Sequence, residues 1–474
     1  MSGVVIGQPR SGSDRMHGGT KIVCTIGPAS SSEAALGALI EAGMNVARLN
    51  FAHGDHAEHG AVLGRIRALA ERLNVPVAAL QDLPGPKVRV GAIAAGSVML
   101  EAGQRFVLTT VALEGSASRV SVSYAGLPRE VEAGDALVLA DGTIELRVER
   151  VTETDIDCRV VVGGRLGSRK GINVPSGLSG LPILSETDLR DLRFGLEHGV
   201  DYVGLSFVRS REDMHIARAH VEALGGRVPL IAKIETQAAL DHFDAIVDAA
   251  DGVMIARGDL SVETPFTRVP VVQKQLIAKA NRLAKPVITA TQMLYSMVSS
   301  RQPTRAEVAD VANAILDGSD AVMLSEETAV GAYPARAVEV MAAIAGATEA
   351  GAPPDAFFAG AGRPATEHEA VVQAACQLAG LLRSDVIVTI GPTDEPARFA
   401  ARCRAPQPIL ALTGARATYR QLALVRGVIP LLLPAHVSGA VDPLEEARGA
   451  IHRGGWRGKR AVIVTADRIW SATL

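Results

Sequence analysis

The sequence predicts an α/β protein: a (β/α)8 TIM barrel with an all-β lid domain inserted after strand 3 and a C-terminal α/β domain. Three observations predict it. Eight short β-branched runs alternate with Ala/Leu/Arg-rich segments from residue 20 onward. Over a hundred residues of different character separate the third run from the fourth, and a Gly/Pro/Ala-rich stretch near 351–364 precedes a second alternation. Eight strand–helix units argue a closed parallel barrel. An open doubly wound sheet would show a Gly-rich dinucleotide turn after its first strand. Here that run ends in Gly27-Pro28.

Taken in order, residues 1–19 read as a loose tail. Its one apolar patch, Val4 to Ile6, falls short of the roughly 7–15 apolar residues of a secretory h-region, which fits a cytoplasmic protein. The barrel runs are Lys21–Ile26, Asn45–Asn50, Val77–Gln81, Asp201–Phe207, Val228–Glu235, Gly252–Ala256, Pro286–Thr291 and Asp320–Leu324. Helical segments follow most of them, among them Ser32–Glu41, His56–Leu73 and Val271–Leu283. Ser31 or Ser32 suits an N-cap and Gly43 a stop. The insert has short alternating runs (Phe106–Thr109, Arg119–Ser123, Ala136–Leu139, Ile144–Val148, Asp157–Val162) broken by Gly-containing turns. A β domain in a barrel loop stands at the active face, where it can act as a lid. The C-terminal part alternates helix Glu367–Leu382, strand Asp385–Ile390, helix Glu395–Cys403, strand Pro408–Thr413, helix Arg416–Val425, strand Gly427–Leu433, helix Asp442–Arg453 and strand Arg460–Thr465. The expected division is 1–19 tail, 20–87 and 175–350 barrel, 88–174 lid, and 351–474 C-terminal domain.

Composition narrows the function. The chain is 48% apolar and 21% charged with a net charge of −3, so it carries no basic field for nucleic acid. Aromatics at 3% leave few platforms for stacking bases. No apolar run reaches the ~18 residues of a membrane span. Cys24, Cys158, Cys376 and Cys403 are scattered without a Cys-x-x-Cys pair, which argues against a disulfide scaffold or zinc knuckle.

Barrel chemistry sits at the C-terminal ends of strands. Strand two ends with Arg48 and Asn50 on one face, and strand three runs to Asp82. Strand five places Lys233 and Glu235 on one face of an apolar run. Strand six runs into Arg257-Gly258-Asp259, and strand seven ends at Thr289 and Thr291. Singly, Arg48 reads as a surface ion pair, Asp82 as a helix cap before Pro84, and Arg-Gly-Asp as a turn. Lys233 with Glu235 resists such a reading, because buried charges are costly unless paired or metal-bound. Glu235 and Asp259 are hard oxygen donors suited to Mg²⁺ or Mn²⁺. With Arg48 and Lys233 nearby, that set is a clamp for a transferring phosphoryl group.

These segments resemble the pyruvate kinase family. The matching stretches are Thr20–Ser30, Gly43–Phe51, Lys170–Pro175, Ile231–Glu235, Ala256–Leu260, Ala290–Leu294 and Arg301–Ala314. The resemblance implies phosphoryl transfer from phosphoenolpyruvate to ADP, giving pyruvate and ATP, as the last step of glycolysis. It implies that Arg48 binds the substrate phosphate and Lys233 stabilises the phosphoryl group in flight. Glu235 and Asp259 would hold Mg²⁺ (or Mn²⁺), and Gly258, Asp259 and Thr291 would bind the rest of the substrate. Asn50, His53, Arg89 and Lys170 would meet the nucleotide. Thr291 would help deliver the proton to the enolate, with Ser325 and Glu327 in the relay. A homotetramer is implied as well. Two other readings stay open at this stage: a Mg-dependent barrel aldolase or lyase working through a pyruvate enolate, and a non-catalytic metabolite sensor. The first needs no nucleotide residues, and the second would be expected to lose Lys233, Asp259 or Thr291.

The chain departs from the family pattern at the potassium site. Ala52 stands where many members have serine, Leu83 follows Asp82, and Lys87 replaces a glutamate. A fixed unit charge ~4 Å from phosphate oxygens is worth about 4 kcal/mol at an effective dielectric of ~20. Lys87 is therefore expected to stand in for K⁺, so that potassium is not required. In the C-terminal domain, the loop Thr389–Glu395 carries two acids and Pro392, which disfavours a sugar bisphosphate effector. Arg398, Arg402 and Arg404 read first as a solvated helix face and second as a site for another anion, and Glu326 reads as a carboxylate pointing outward.

Overall fold

The structure is a computed structural model that describes residues 19–140, 142–174, 178, 180–352, 363–433, 451–452, 455–465 and 468–474. The predicted tail apart from Gly19, most of the 351–364 stretch and most of the helix expected over Asp442–Arg453 lie outside the described residues.

Eight parallel strands close into a barrel. They are Lys21–Ile26, Val46–Asn50, Ala78–Leu83, Tyr202–Leu205, Leu230–Ile234, Gly252–Ala256, Val287–Ala290 and Ala321–Leu324, called barrel strands one to eight below. Nearly every residue in them is buried, as a sheet covered on one face and filled on the other requires. The helix Glu33–Ala42 begins where Ser32 accepts from the Ala35 N–H, and it stops at Gly43, whose φ of 122° turns its N–H back to the Leu39 and Ile40 carbonyls. An Asp55–Glu58 capping box opens the helix His56–Leu73.

The insert forms a curled seven-stranded sheet with its own core around Phe106, Leu108, Leu137, Leu146 and Ile156. Its base is the antiparallel pair Val88–Arg89 and Gly171–Asn173. The C-terminal sheet has five strands in the order Val428–Leu432, Ile409–Thr413, Val386–Ile390, Arg460–Val464 and Ile469–Thr473. The last strand is antiparallel and is absent from the sequence-based expectation.

The C-terminal domain docks under the N-terminal ends of the barrel strands, opposite the chemical face. Ala423 and Leu424 join the barrel's inner core of Val23, Val46, Leu80 and Ile231. Lys21 donates to the Val428 carbonyl at 2.8 Å, and the Tyr202 hydroxyl to the Gln421 carbonyl at 2.8 Å. This docking corrects the expectation for the arginine cluster. Arg402 and Arg404 are 8% and 9% exposed, not solvated. Arg404 pairs with Asp320 at 3.3 Å and donates to the Gly318 carbonyl at 2.8 Å. Arg402 pairs with Glu369 of its own domain at 3.0 Å and donates to the Arg282 carbonyl of the barrel at 3.4 Å, and Arg398 donates to the Ala284 carbonyl at 3.2 Å. These side chains tie two domains together, so desolvated pairing replaces hydration. Glu326 is exposed, as its outward reading requires. Among the described residues no helix is long and apolar enough to cross a membrane.

Candidate active site

Barrel strands two, three and five bring their charged residues into direct contact. Asp82 is 1% exposed. One of its oxygens takes the Arg48 Nε at 2.6 Å, and the other takes the Lys233 Nζ at 3.0 Å. Asp82 is therefore an interior counter-ion within strand three and not a helix cap, and Arg48 is not a surface pair. Within strand three Asp82 stands in register with Asn50 of strand two and Gly204 of strand four. Thr25, from strand one, accepts from Arg48 Nη1 at 3.0 Å and fixes the other end of the guanidinium.

Lys233 also meets Glu235 at 3.1 Å and the Ser206 hydroxyl at 2.6 Å. Period-two alternation along strand five explains why the first two share a face. Burial alone would lower the Lys233 pKa, but Asp82 and Glu235 outweigh it and raise it. Burial would likewise raise Asp82, and Arg48 with Lys233 reverses that and holds its carboxyl below the usual range. Glu235 goes the other way: burial dominates, the Asp259 charge adds to it, and its pKa rises despite Lys233.

The Arg257-Gly258-Asp259 segment is not a turn. It opens the short helix Arg257–Glu263 directly after strand six. Arg257 is braced by Asp310 at 2.7 Å and by the Thr291 carbonyl at 2.9 Å. Asp259 meets the Lys87 ammonium at 3.2 Å, and that ammonium stands 5.7 Å from the Phe207 ring centre. Gly258 N–H donates to the Thr291 hydroxyl at 2.8 Å, and Thr291 donates to the Ala290 carbonyl at 2.7 Å. Thr291 and Gln292 both sit in the left-handed region, at φ 70° and 56°, a strained stretch of the kind that clusters at functional sites. Glu327, 1% exposed, accepts the N–H groups of Leu294 and Ser325, and burial raises its pKa.

The other anticipated residues stand around this centre, and of these Leu83 is tied to it through Ser206. Asn50 accepts from the Ala52 N–H, and the His53 carbonyl faces His59. Arg89 donates to the Arg169 carbonyl, and the Lys170 carbonyl accepts from Val90, so both stand on the base of the lid. Ala52 is exposed, whereas Leu83 is buried with its carbonyl accepting from Ser206. A cavity of about 140 Å³ separates the lid base from the barrel rim, with Lys87, Asn173, Phe207 and Glu263 in its wall.

Among the described residues no three His, Cys, Asp or Glu side chains group as a metal cage. Glu235 and Asp259 nevertheless fit a hard divalent ion. They are two carboxylates close enough to repel, each balanced here by an ammonium. Such an ion takes its remaining ligands from water and substrate oxygens.

Sequence reasoning missed Thr25, Arg257 as a brace, and the Ser206-Phe207 pair. Ser206 and Phe207 close strand four, so the rule that found the other strand ends reaches them too.

Comparison with known proteins identifies the family. Residues 18–338 match the family profile described as pyruvate kinase, barrel domain, and residues 369–471 that described as pyruvate kinase, alpha/beta domain. Pyruvate kinase 2 of a Synechocystis species is 48% identical over 418 residues, covering 87% of this chain and 70% of that one. A pyruvate kinase of Thermococcus litoralis is 45% identical over 420 residues, covering 87% and 88%. The crystal structure of a pyruvate kinase from Cryptosporidium parvum superposes with a TM-score of 0.93 at 35% identity, covering 98% of each chain.

Proposed function

The chain belongs to the pyruvate kinase family and is a phosphotransferase, and from that premise we propose that it moves the phosphoryl group of phosphoenolpyruvate to ADP through the residues described above. One observation carries the assignment of roles: Arg48, Lys233, Asp82 and Glu235 form a single buried, contact-linked charge cluster at the barrel mouth. Two fixed cations whose counter-ions are already in place stabilise a phosphoryl group in flight without reorganising. Arg48, pinned by Asp82 and Thr25, offers its remaining N–H groups to the substrate phosphate. Lys233 stays charged and, fixed in place, stabilises the negative charge of the passing phosphoryl group. Glu235 and Asp259 would hold Mg²⁺ or Mn²⁺, which when bound neutralises charge on the transferring oxygens.

Gly258 N–H and Thr291 are bonded to each other. Capture of the substrate carboxylate by the Gly258 N–H therefore exchanges one acceptor for another, and the Thr291 hydroxyl, turning from the Ala290 carbonyl, passes its proton to the enolate and is reprotonated through Ser325 and Glu327. Asn50, His53, Arg89 and Lys170 take the nucleotide between barrel and lid. Lys87, held beside Asp259 and Phe207, supplies the fixed positive charge that Ala52 and Leu83 no longer recruit as K⁺. The reading extends to a cytoplasmic homotetramer at the end of glycolysis, divided at 20–87 with 175–350, 88–174 and 351–474. Light scattering tests the assembly, and a monomer at working concentration would overturn it.

A lactate-dehydrogenase-coupled assay with each nucleoside diphosphate, in potassium and in tetramethylammonium buffer, tests the function. Pyruvate release matched by ATP, at equal rates in both salts, is expected. Nucleotide-independent pyruvate release would overturn the activity, and a large potassium activation would overturn the role of Lys87.

A further inference from the structure

We propose that the turn Ser206–Phe207, at the end of barrel strand four, is a positioning device that presets Lys233 and Glu235 before any ligand arrives. The proposal rests on the roles given to those two residues above. Ser206 is 3% exposed, and its hydroxyl donates to the Leu83 carbonyl at 2.6 Å. A hydroxyl has one proton. With that proton committed, the oxygen can only accept from Lys233, which donates to it at 2.6 Å. The three N–H bonds of the ammonium then have three fixed acceptors, Ser206, Asp82 and Glu235. The polarity of the whole set is decided by the strand-three carbonyl.

Phe207 adds the second half. Its φ is 57°, an uncommon conformation for a residue with a side chain. In that conformation its N–H donates to Glu235 Oε2 at 2.8 Å, while Oε1 receives Lys233. Both carboxylate oxygens are thereby oriented by groups outside the substrate. The neighbouring loop holds the turn closely. Gly85, at φ 66°, passes so near that a Cβ there would lie 2.9 Å from the Ser206 carbonyl oxygen. Neither residue is assigned a substrate contact. Their part is to remove the reorganisation that Lys233 and Glu235 would otherwise undergo.

Five variants, Ser206→Ala, Ser206→Cys, Phe207→Gly, Phe207→Val and Lys233→Met, test it. Losing one hydrogen bond to a charged group is expected to lower kcat of Ser206→Ala about tenfold or more, with KM for phosphoenolpyruvate changed less than about threefold and the melting temperature kept. Ser206→Cys keeps the elbow filled while weakening the acceptor, and gives the same comparison if the alanine variant folds poorly. Mn²⁺ titrated into the metal-free protein and followed by paramagnetic resonance reads Glu235 without turnover. Glycine keeps the N–H and the left-handed backbone, so Phe207→Gly should bind Mn²⁺ within about twofold of the parent, whereas β-branched valine resists that backbone and should weaken binding about tenfold. Parental kcat in Ser206→Ala, or parental Mn²⁺ affinity in Phe207→Val, would overturn the proposal. If Lys233→Met is itself fully active, the underlying role assignment fails. If it is inert while Ser206→Ala is normal, only the inference about the turn fails.

Discussion

Lys233 is a buried ammonium that keeps its charge because three acceptors surround it. An uncompensated lysine at that depth would lose its proton. Replacing it with methionine preserves length and removes the charge. Lys233→Met is expected to bind phosphoenolpyruvate with little change and to lose about 10²- to 10³-fold in kcat, measured by ligand-induced fluorescence change beside the coupled assay. Near-parental turnover would remove Lys233 from the chemistry. The Lys233–Glu235 pair was legible in the sequence because alternation puts both on one face of a run too apolar to bear idle charge. Asp82 was half-legible: its position at a strand end was clear, but its partners come from strands two and five. The Phe207 backbone was not legible, since nothing in an apolar run announces a left-handed φ.

At the scale of elements, one carboxylate joins three pieces of the fold. Asp201, 2% exposed, precedes barrel strand four. Its Oδ2 accepts Arg67 Nη2 of the helix His56–Leu73 at 2.7 Å and the Ala79 N–H of strand three at 2.8 Å. Its Oδ1 accepts Arg420 Nε of the C-terminal domain at 2.7 Å. Asp201→Ala leaves two guanidinium groups and a backbone donor without it, and is expected to destabilise the fold by about 3–5 kcal/mol. Urea unfolding monitored by circular dichroism measures it, and a change below about 1 kcal/mol would show that water replaces the carboxylate. The docked arginines teach the same lesson. Arg402 and Arg404 occupy a helix end whose local sequence looks solvated, and the barrel's underside removes that solvent.

Across the whole molecule, Glu263 connects lid and barrel. It accepts from the Asn173 amide of the lid base at 3.4 Å and from the Gln237 N–H of the barrel at 3.3 Å. Burial pushes its carboxyl up to about 7. A carboxyl with a raised folded pKa favours the folded state while protonated. Its contribution is therefore full below the unfolded value of about 4.3 and is lost as pH rises through about 7. Glu263→Gln should accordingly match the parent's melting temperature near pH 4 and exceed it above pH 7. A difference that does not vary with pH would show that the carboxyl is not titrating in this window.

The order and kind of most elements were legible in the sequence, the last, antiparallel strand of the C-terminal sheet excepted. Eight apolar runs at helical intervals bury both faces when they close into a barrel wrapped in helices, and an alternating all-β insert must build its own core. The chemical types at the strand ends were equally explicit, because a charge in a buried strand is either paired or functional. Only the tertiary structure decided which charges meet, that the Arg402–Arg404 face is dry, that strands of two and three residues anchor the lid, and that Ser206 and Phe207 hold the reactive pair. Those outcomes depend on contacts between residues far apart in the chain, and the local periodicity that reveals a strand or helix contains no information about what the fold will bring against it.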